Sequence, residues 1–261
     1  MAGTEMIDWL RRYDARSARF LFLIGAMKCG TTSLAGLLMK HSSIFIGRHK
    51  EPNFFADRGK KLTSEREYLE SWDLNEIFAK RGKWLLDAST SYSKFPAFGD
   101  AAQNIAGFTN KAKFIYLMRD PLRRIESQLA HAYQNSEGFP ARYAQKRTNL
   151  KFYRHMIAVS SYAQQLANYE RQFGRDKILL LQFEDLIGDT EDTMSEVWGF
   201  LNLVPPTVSF LEHKNSRAQK TKVPNTKLLP SELEAEIREQ LKPEMEQLSR
   251  HWGVNVAKWG F

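Results

Sequence analysis

An α/β fold is predicted for this chain: a single-domain, P-loop-like open parallel sheet of about five strands with helices on both faces. Two observations carry it. Short apolar runs of strand length alternate with longer segments of helical periodicity, the pattern of a parallel sheet covered by crossover helices. The first apolar run, residues 20–24, stops at Gly25 and gives way to a helical start at Thr31. With 261 residues, 43% of them apolar, the chain can bury one substantial core, which predicts one domain over 1–261. Its main body is expected at about 18–205, followed by a basic loop and a helix at 206–261.

The stretch FLFLIGAMKCGTTSLAGLL reads as strand, glycine turn and helix. Backbone N–H groups of such a turn and of the first helical turn lack intrahelical partners, so they favour a bound phosphate or sulfate. Set against the nucleotide loop GxxxxGK[ST], Gly25 and Gly30 have the right spacing, but Thr31 stands in the lysine position and Lys28 lies inside the loop. A phosphate site that is not an ordinary ATP site is therefore expected, with Lys28, Gly30, Thr31, Thr32 and Ser33 as its candidates. Cys29 is the only cysteine, which excludes an internal disulfide and a zinc site of several cysteines. It reads as a nucleophile or, more simply, as one more small residue of the loop.

The remaining elements follow in order. Residues 44–46 form a second strand, and its exit places Glu51 among Arg48, His49 and Lys50 and before Pro52 and the pair Phe54-Phe55. Glu51 is either a positioned base or one half of a surface ion pair contributing under about 1 kcal/mol. Short helices are expected at 64–72 and 74–79. A third strand at 83–86 ends at Asp87, which reads as a Walker-B-type metal ligand or as a cap, and the small hydroxyl residues that follow read as the lining of a cleft.

The fourth strand, 113–118, leads into Arg119-Asp120-Pro121, with Asp120 as helix cap and Pro121 in the first turn. Arg119 and Ser127 can converge on a second anion, while Arg123 and Arg124 are expected in solvent. Residues 137–151 read as a polar, mobile loop, 155–174 as one helix ended by Gly174, and 177–183 as the fifth strand. A helix at 191–203 is broken by Pro205-Pro206, a basic structureless segment follows at 213–222, and an amphipathic helix spans 231–252.

The formal charge is +8, from 38 basic and 30 acidic residues. That surplus attracts anions such as nucleic acid, acidic glycans or phosphorylated cofactors, without choosing among them. Residues 1–19 do not make a signal peptide, and no run approaches the roughly 20 apolar residues that span a bilayer. A soluble, cytoplasmic protein without a membrane partner is expected.

Four stretches, GAMKCGTTSL, EPNFF, YLMRDPLRRIESQ and SYAQQLANYERQFGRDKILLLQFEDL, together resemble the PAPS-dependent sulfotransferases. In type they are nearest to the heparan sulfate N- and 3-O-sulfotransferase branch and its bacterial relatives. The similarity covers about residues 18–205. It implies an enzyme that moves a sulfuryl group from PAPS, with PAP as product and no obligatory metal. By this resemblance the loop from Lys28 through Cys29, Gly30, Thr31 and Thr32 to Ser33 holds the 5′-phosphosulfate end, and Arg119 with Ser127 binds the 3′-phosphate. Tyr162 lies in the helix whose matching tyrosine is near the nucleotide. Glu51 falls where the branch has its general base, and Lys28 would stabilise the leaving PAP.

Two features depart from the pattern. Ala88 stands where the glycosaminoglycan enzymes have a lysine, and their C-terminal basic loop has no clear counterpart except through Lys220 or Lys222. The expected acceptor is a hydroxyl or amine of a small metabolite or carbohydrate, not nucleic acid. Phe54, Phe55, Tyr92, Tyr133 and Phe139 would form an apolar acceptor pocket, or Arg48, Lys50, Arg142, Lys146 and Arg147 would hold an anionic sugar. The alternatives are a P-loop ATP-dependent kinase, which would need magnesium, and a non-enzymatic polyanion-binding protein, which would need no base.

Overall fold

Five parallel strands form one sheet in the order β2-β3-β1-β4-β5: β1 Arg19–Gly25, β2 Ile44–Ile46, β3 Trp84–Asp87, β4 Ala112–Met118 and β5 Ile178–Gln182. The computed structural model describes residues 18–72, 83–207 and 227–261. Strand β1 is central, and Phe20, Leu21, Phe22, Leu23 and Ile24 are all fully buried. Burial on both faces explains why its sequence is continuously apolar instead of alternating. Phe22 lies opposite Asp87 of β3 on one side and Phe114 of β4 on the other. The chain builds β2 and β3 on one flank of β1 before crossing to β4 and β5, so the order reverses beside β1. At such a switch point the carboxyl ends of the strands open a crevice.

Helices cover both faces: α1 Thr31–Leu38, α2 Glu65–Glu70, α3 Ala101–Phe108, α4 Pro121–Asn135, α5 Phe139–Lys146, α6 Leu150–Ser160, α7 Tyr162–Phe173, α8 Phe183–Gly188, α9 Thr190–Leu201 and α10 Ser231–Trp252. Asp120 caps α4 as its position predicts, accepting hydrogen bonds from the Leu122 and Arg123 amides. The main core surrounds the sheet. A second core joins Leu122, Ile125 and Leu129 of α4, Phe139 and Tyr143 of α5, Tyr153 and Met156 of α6, and Ile237 and Leu241 of α10.

The packing corrects four expectations. Residues 137–151 are not a loop: α5 occupies their centre, with Phe139 and Tyr143 one turn apart and buried while Arg142 and Lys146 stay exposed. The expected helix at 155–174 is two helices that meet at Ser161. The Ser161 hydroxyl donates back to the Ile157 carbonyl at 3.2 Å and Ser160 accepts from Arg124 at 2.6 Å, the local competition by which serines end helices. Arg124 is not in solvent but fully buried. Of the proposed pocket aromatics, Phe55, Tyr92 and Phe139 are core residues, each 3% exposed, and Tyr133 packs edge-on to Phe139 and Tyr143. Residues 73–82 and 208–226 lie outside the described residues, so the expected helix at 74–79 and the candidates Lys220 and Lys222 have no structural account.

Candidate active site

A cavity of about 670 Å³ opens at the carboxyl edge of the sheet, and the exits of all five strands line it. From β1 come Met27, Lys28, Gly30 and the first turn of α1; from β2, Lys50 and Glu51; from β3, Thr90 and Lys94; from β4, Arg119; from β5, Phe183. His131 of α4 completes the wall. The structure thus brings together Lys28, Gly30, Thr31, Thr32, Ser33, Glu51 and Arg119. Ser127 is half-buried on α4, one turn before His131 and so on the same side of the helix.

Two glycines shape the β1 exit. Gly25 has φ 148°, and a Cβ there would stand 2.0 Å from Ser93 Oγ; Gly30 has φ 91°, and its Cβ would press 2.7 Å from the Phe183 ring. Gly30 is also the N-cap of α1, where no side chain accepts from the first-turn amides and no acidic residue occurs in the first turn. The Ser33 amide turns back on the Gly30 carbonyl at 2.9 Å, and the helix dipole with the amides ahead of it favours an anionic ligand. Helix α4 differs, since the Asp120 carboxylate already takes its terminal amides.

Lys28 (φ 72°), Glu51 (φ 53°) and Asn53 (φ 55°) all adopt the left-handed backbone region. For residues with a Cβ this costs about 1–2 kcal/mol each, a strain that persists where surrounding contacts impose it and that clusters at functional sites. Lys50 donates to Thr32 Oγ1 at 2.8 Å, tying the β2 exit to the loop. The Arg119 guanidinium lies 4.7 Å over the Phe183 ring and 3.5 Å from the Lys28 carbonyl. Glu51 Oε2 accepts from Thr90 Oγ1 at 3.4 Å.

Beneath the cavity a hydrogen-bond network holds the Glu51 loop. Asp87 is 1% exposed and accepts from Ser89 Oγ at 2.6 Å, Tyr92 at 2.7 Å and Tyr68 at 3.0 Å. Ser89 Oγ in turn accepts from the Asn53 amide at 3.1 Å, and Ser91 donates to Asn53 Oδ1 at 2.5 Å. Burial pushes the Asp87 carboxyl up to about 6, against the pull of its three hydroxyl donors. Its oxygens are consumed by protein donors, so Asp87 anchors the loop instead of holding a metal. Among the described residues no group of three or more His, Cys, Asp or Glu is arranged to hold one.

Cys29 and Tyr162 also lie beneath the cavity. The Cys29 sulfur is fully buried 3.9 Å from the Tyr162 hydroxyl, and burial pushes its thiol up to about 12; it packs the loop and is no nucleophile. Tyr162, also fully buried, donates to the Arg119 carbonyl at 2.7 Å and fixes the β4 exit. Arg124 donates to Ser160 Oγ and the Met156 carbonyl, each at 2.6 Å, to Gln128 at 2.8 Å, and more weakly to the Met27 carbonyl at 3.4 Å. It adds a buried positive charge under the β1 exit.

Lys94, Phe183 and His131 of the cavity, and Arg124 below it, are absent from the sequence-derived candidates. No spacing rule marks them, because Lys94, Phe183 and the α4 pair of Arg124 and His131 follow three different strands. A second cavity of about 590 Å³ near α9 and the end of α10 is lined by Glu184, Asp185, Asp189, Asp192 and Glu196. Its charge has the wrong sign for a phosphate.

The chain is similar to known proteins across most of its length. Residues 19–254 match the family described as Sulfotransferase domain. Carbohydrate sulfotransferase 15 of Mus musculus is 22% identical over 255 aligned residues, covering 75% of this chain and 46% of that protein; the Rattus norvegicus counterpart is 20% identical with the same coverage. The chain thus spans about half the length of the curated relatives it matches. Among solved structures, a sulfotransferase from Alicyclobacillus acidocaldarius superposes with a TM-score of 0.71 at 23% identity, over 94% of this chain and 100% of that one. The sulfotransferase domain of the Synechococcus PCC 7002 olefin synthase gives a TM-score of 0.51 at 19% identity, over 91% and 94% of the two chains. At these identities the likeness is one of fold.

Proposed function

Because the chain belongs to the sulfotransferase domain family, we propose that it transfers a sulfuryl group from PAPS to a hydroxyl or amine of a small polar metabolite or carbohydrate. The observation that carries this reading is the pairing, in one cavity, of a helix N-terminus without a side-chain cap, and Lys28 in the loop leading to it, with the carboxylate of Glu51. The first needs a polyanion and the second needs a proton to remove. PAPS would supply the activated sulfuryl group.

The residues present suit that donor. The α1 amides, Lys28 and the hydroxyls of Thr31, Thr32 and Ser33 bind its 5′ end. Arg119, with Ser127 on the adjoining helix, takes the 3′-phosphate. Glu51 accepts the proton of the attacking acceptor, and Lys28 stabilises negative charge on the departing oxygen, the positioning and electrostatic work that such transfers require. Lys50, Glu51, Thr90, Lys94 and His131 line the cavity around the base, and this favours a polar acceptor over an apolar one. Carbohydrate sulfotransferase 15, by its name, acts on such a class.

Thermal unfolding with PAP or ATP, each with and without magnesium, tests the reading. PAP is expected to raise the midpoint without magnesium, since a ligand at about 100 times its Kd adds about 2.7 kcal/mol to the native state. Stabilisation by magnesium-ATP and none by PAP would turn the assignment to a kinase. Stabilisation by any polyanion alike would turn it to a non-enzymatic binder.

A further inference from the structure

Lys94 lines the cavity beyond the exit of β3. It shares the wall with Glu51 and Thr90, and its ammonium rests 4.9 Å from the Phe98 ring. Among the described residues it forms no ion pair and donates no hydrogen bond. Burial lowers its pKa, the Glu51 charge works against that, and the Arg124 charge reinforces it; His155, whose ring lies 6.3 Å from that of Phe98, is the other titratable neighbour. A partly desolvated ammonium without an acceptor is costly in the free protein, and the cost is recovered when an anion arrives.

The backbone around Lys94 is held unusually well for a strand exit. Tyr169 donates to the Tyr92 carbonyl at 2.9 Å. The Phe95 amide donates to Gln165 Oε1 at 2.8 Å, and Gln165 Nε2 donates to the Phe95 carbonyl at 3.0 Å. Both sides of Lys94 are therefore pinned to α7, so its side chain reaches the cavity from a fixed base. Nearer the strand end, Ala88 is small and 4% exposed, so β3 supplies its cation to the cavity through Lys94.

Resting on the sulfotransferase reading, we infer that Lys94 is a catalytic residue that hydrogen-bonds the non-bridging oxygens of the sulfuryl group on the Glu51 side. In the transfer, Glu51 takes the acceptor proton as the new bond to sulfur forms. The bond from sulfur to the bridging oxygen breaks, and its electron pair stays on the PAP phosphate beside Lys28. Lys94 keeps its proton throughout and holds the group in flight.

Because PAP lacks the sulfuryl group, the affinity ratio of PAPS to PAP isolates this contact and needs no acceptor. A charge-assisted hydrogen bond predicts that Lys94→Met lowers PAPS affinity about tenfold or more while PAP affinity stays within about twofold. Lys94→Arg should restore most of the ratio, and Lys94→Met should unfold at the wild-type temperature or above, since an unpaired charge has been removed. An unchanged ratio in Lys94→Met, or equal loss of both affinities with a lowered midpoint, overturns the inference. Wild-type protein that binds neither nucleotide overturns the sulfotransferase reading itself.

Discussion

At the Lys28 end of the cavity, the ligand-facing groups come from one continuous run, residues 25–33, and are largely backbone amides shaped by two glycines. At the Glu51 end they are side chains from separate strand exits, joined across 39 residues by the Thr90 to Glu51 contact and seated on the Asp87, Ser89 and Asn53 network. A contiguous amide cradle is a local structure that folds with its strand and helix. An assembly of side chains from distant segments exists only once the sheet has brought those segments together. The first suits a constant anion and the second suits an acceptor that varies.

The sharpest way to break this contrast is Glu51→Gln. It keeps size and hydrogen-bonding capacity but cannot take a proton, so turnover should fall about 10²- to 10⁴-fold with PAP affinity unchanged in calorimetry. Normal turnover would remove Glu51 as base. Lys28→Ala attacks the other end and should weaken PAP binding about 10- to 100-fold, the loss of a charge-assisted contact, while also lowering turnover. If PAP affinity survived, the loop would not be the donor site.

Arg124→Met tests the support beneath both ends. It strands the Met156 carbonyl and the Ser160 hydroxyl, and should cost about 2–4 kcal/mol in urea unfolding. A cost near zero would mean that the buried guanidinium contributes no net stability.

Asp87→Asn has the smallest effect at neutral pH and the most specific signature. The native carboxyl titrates near 6, above the ordinary 3.8, so the folded protein binds this proton more tightly than the unfolded chain. The resulting stability is full below pH 4 and is lost as pH rises through 6, a change on the order of 3 kcal/mol. Asparagine removes that slope, so the wild-type advantage over the variant should shrink between pH 4 and 7. A constant difference would show that Asp87 does not titrate in the fold. Because the amide replaces one acceptor oxygen facing Ser89, a moderate loss of turnover from a misplaced Glu51 loop is also expected.

Strand order aside, much of the sheet was legible from local pattern. Each strand is a short apolar run with a turn residue or charge at its end, and helices α4 and α10 carry their own stop and start signals in Asp120, Pro121 and Gly253. The break at Ser161 was not legible, because the apolar repeat runs on through it and the interruption comes with Ser161 turning back on the Ile157 carbonyl and Ser160 answering Arg124. Nor was α5, where a polar surface masks the pair Phe139 and Tyr143. Their burial depends on α4, α6 and α10 closing over them.

The sequence alone determined the anion loop, since a glycine-bounded turn and an uncapped helix start need only neighbouring residues to form. It also predicted an anionic partner, because a lysine inside that turn favours negative charge wherever the turn is placed. Only the tertiary structure decided which other charges share the cavity with that loop. Lys94, Arg119 and Glu51 converge because the parallel sheet puts every strand exit on one edge. Arg124 is withdrawn from water because α6 supplies two of its acceptors, the Ser160 hydroxyl and the Met156 carbonyl. Side-chain charge is written in the sequence; its distance to another charge is set by the chain's return path.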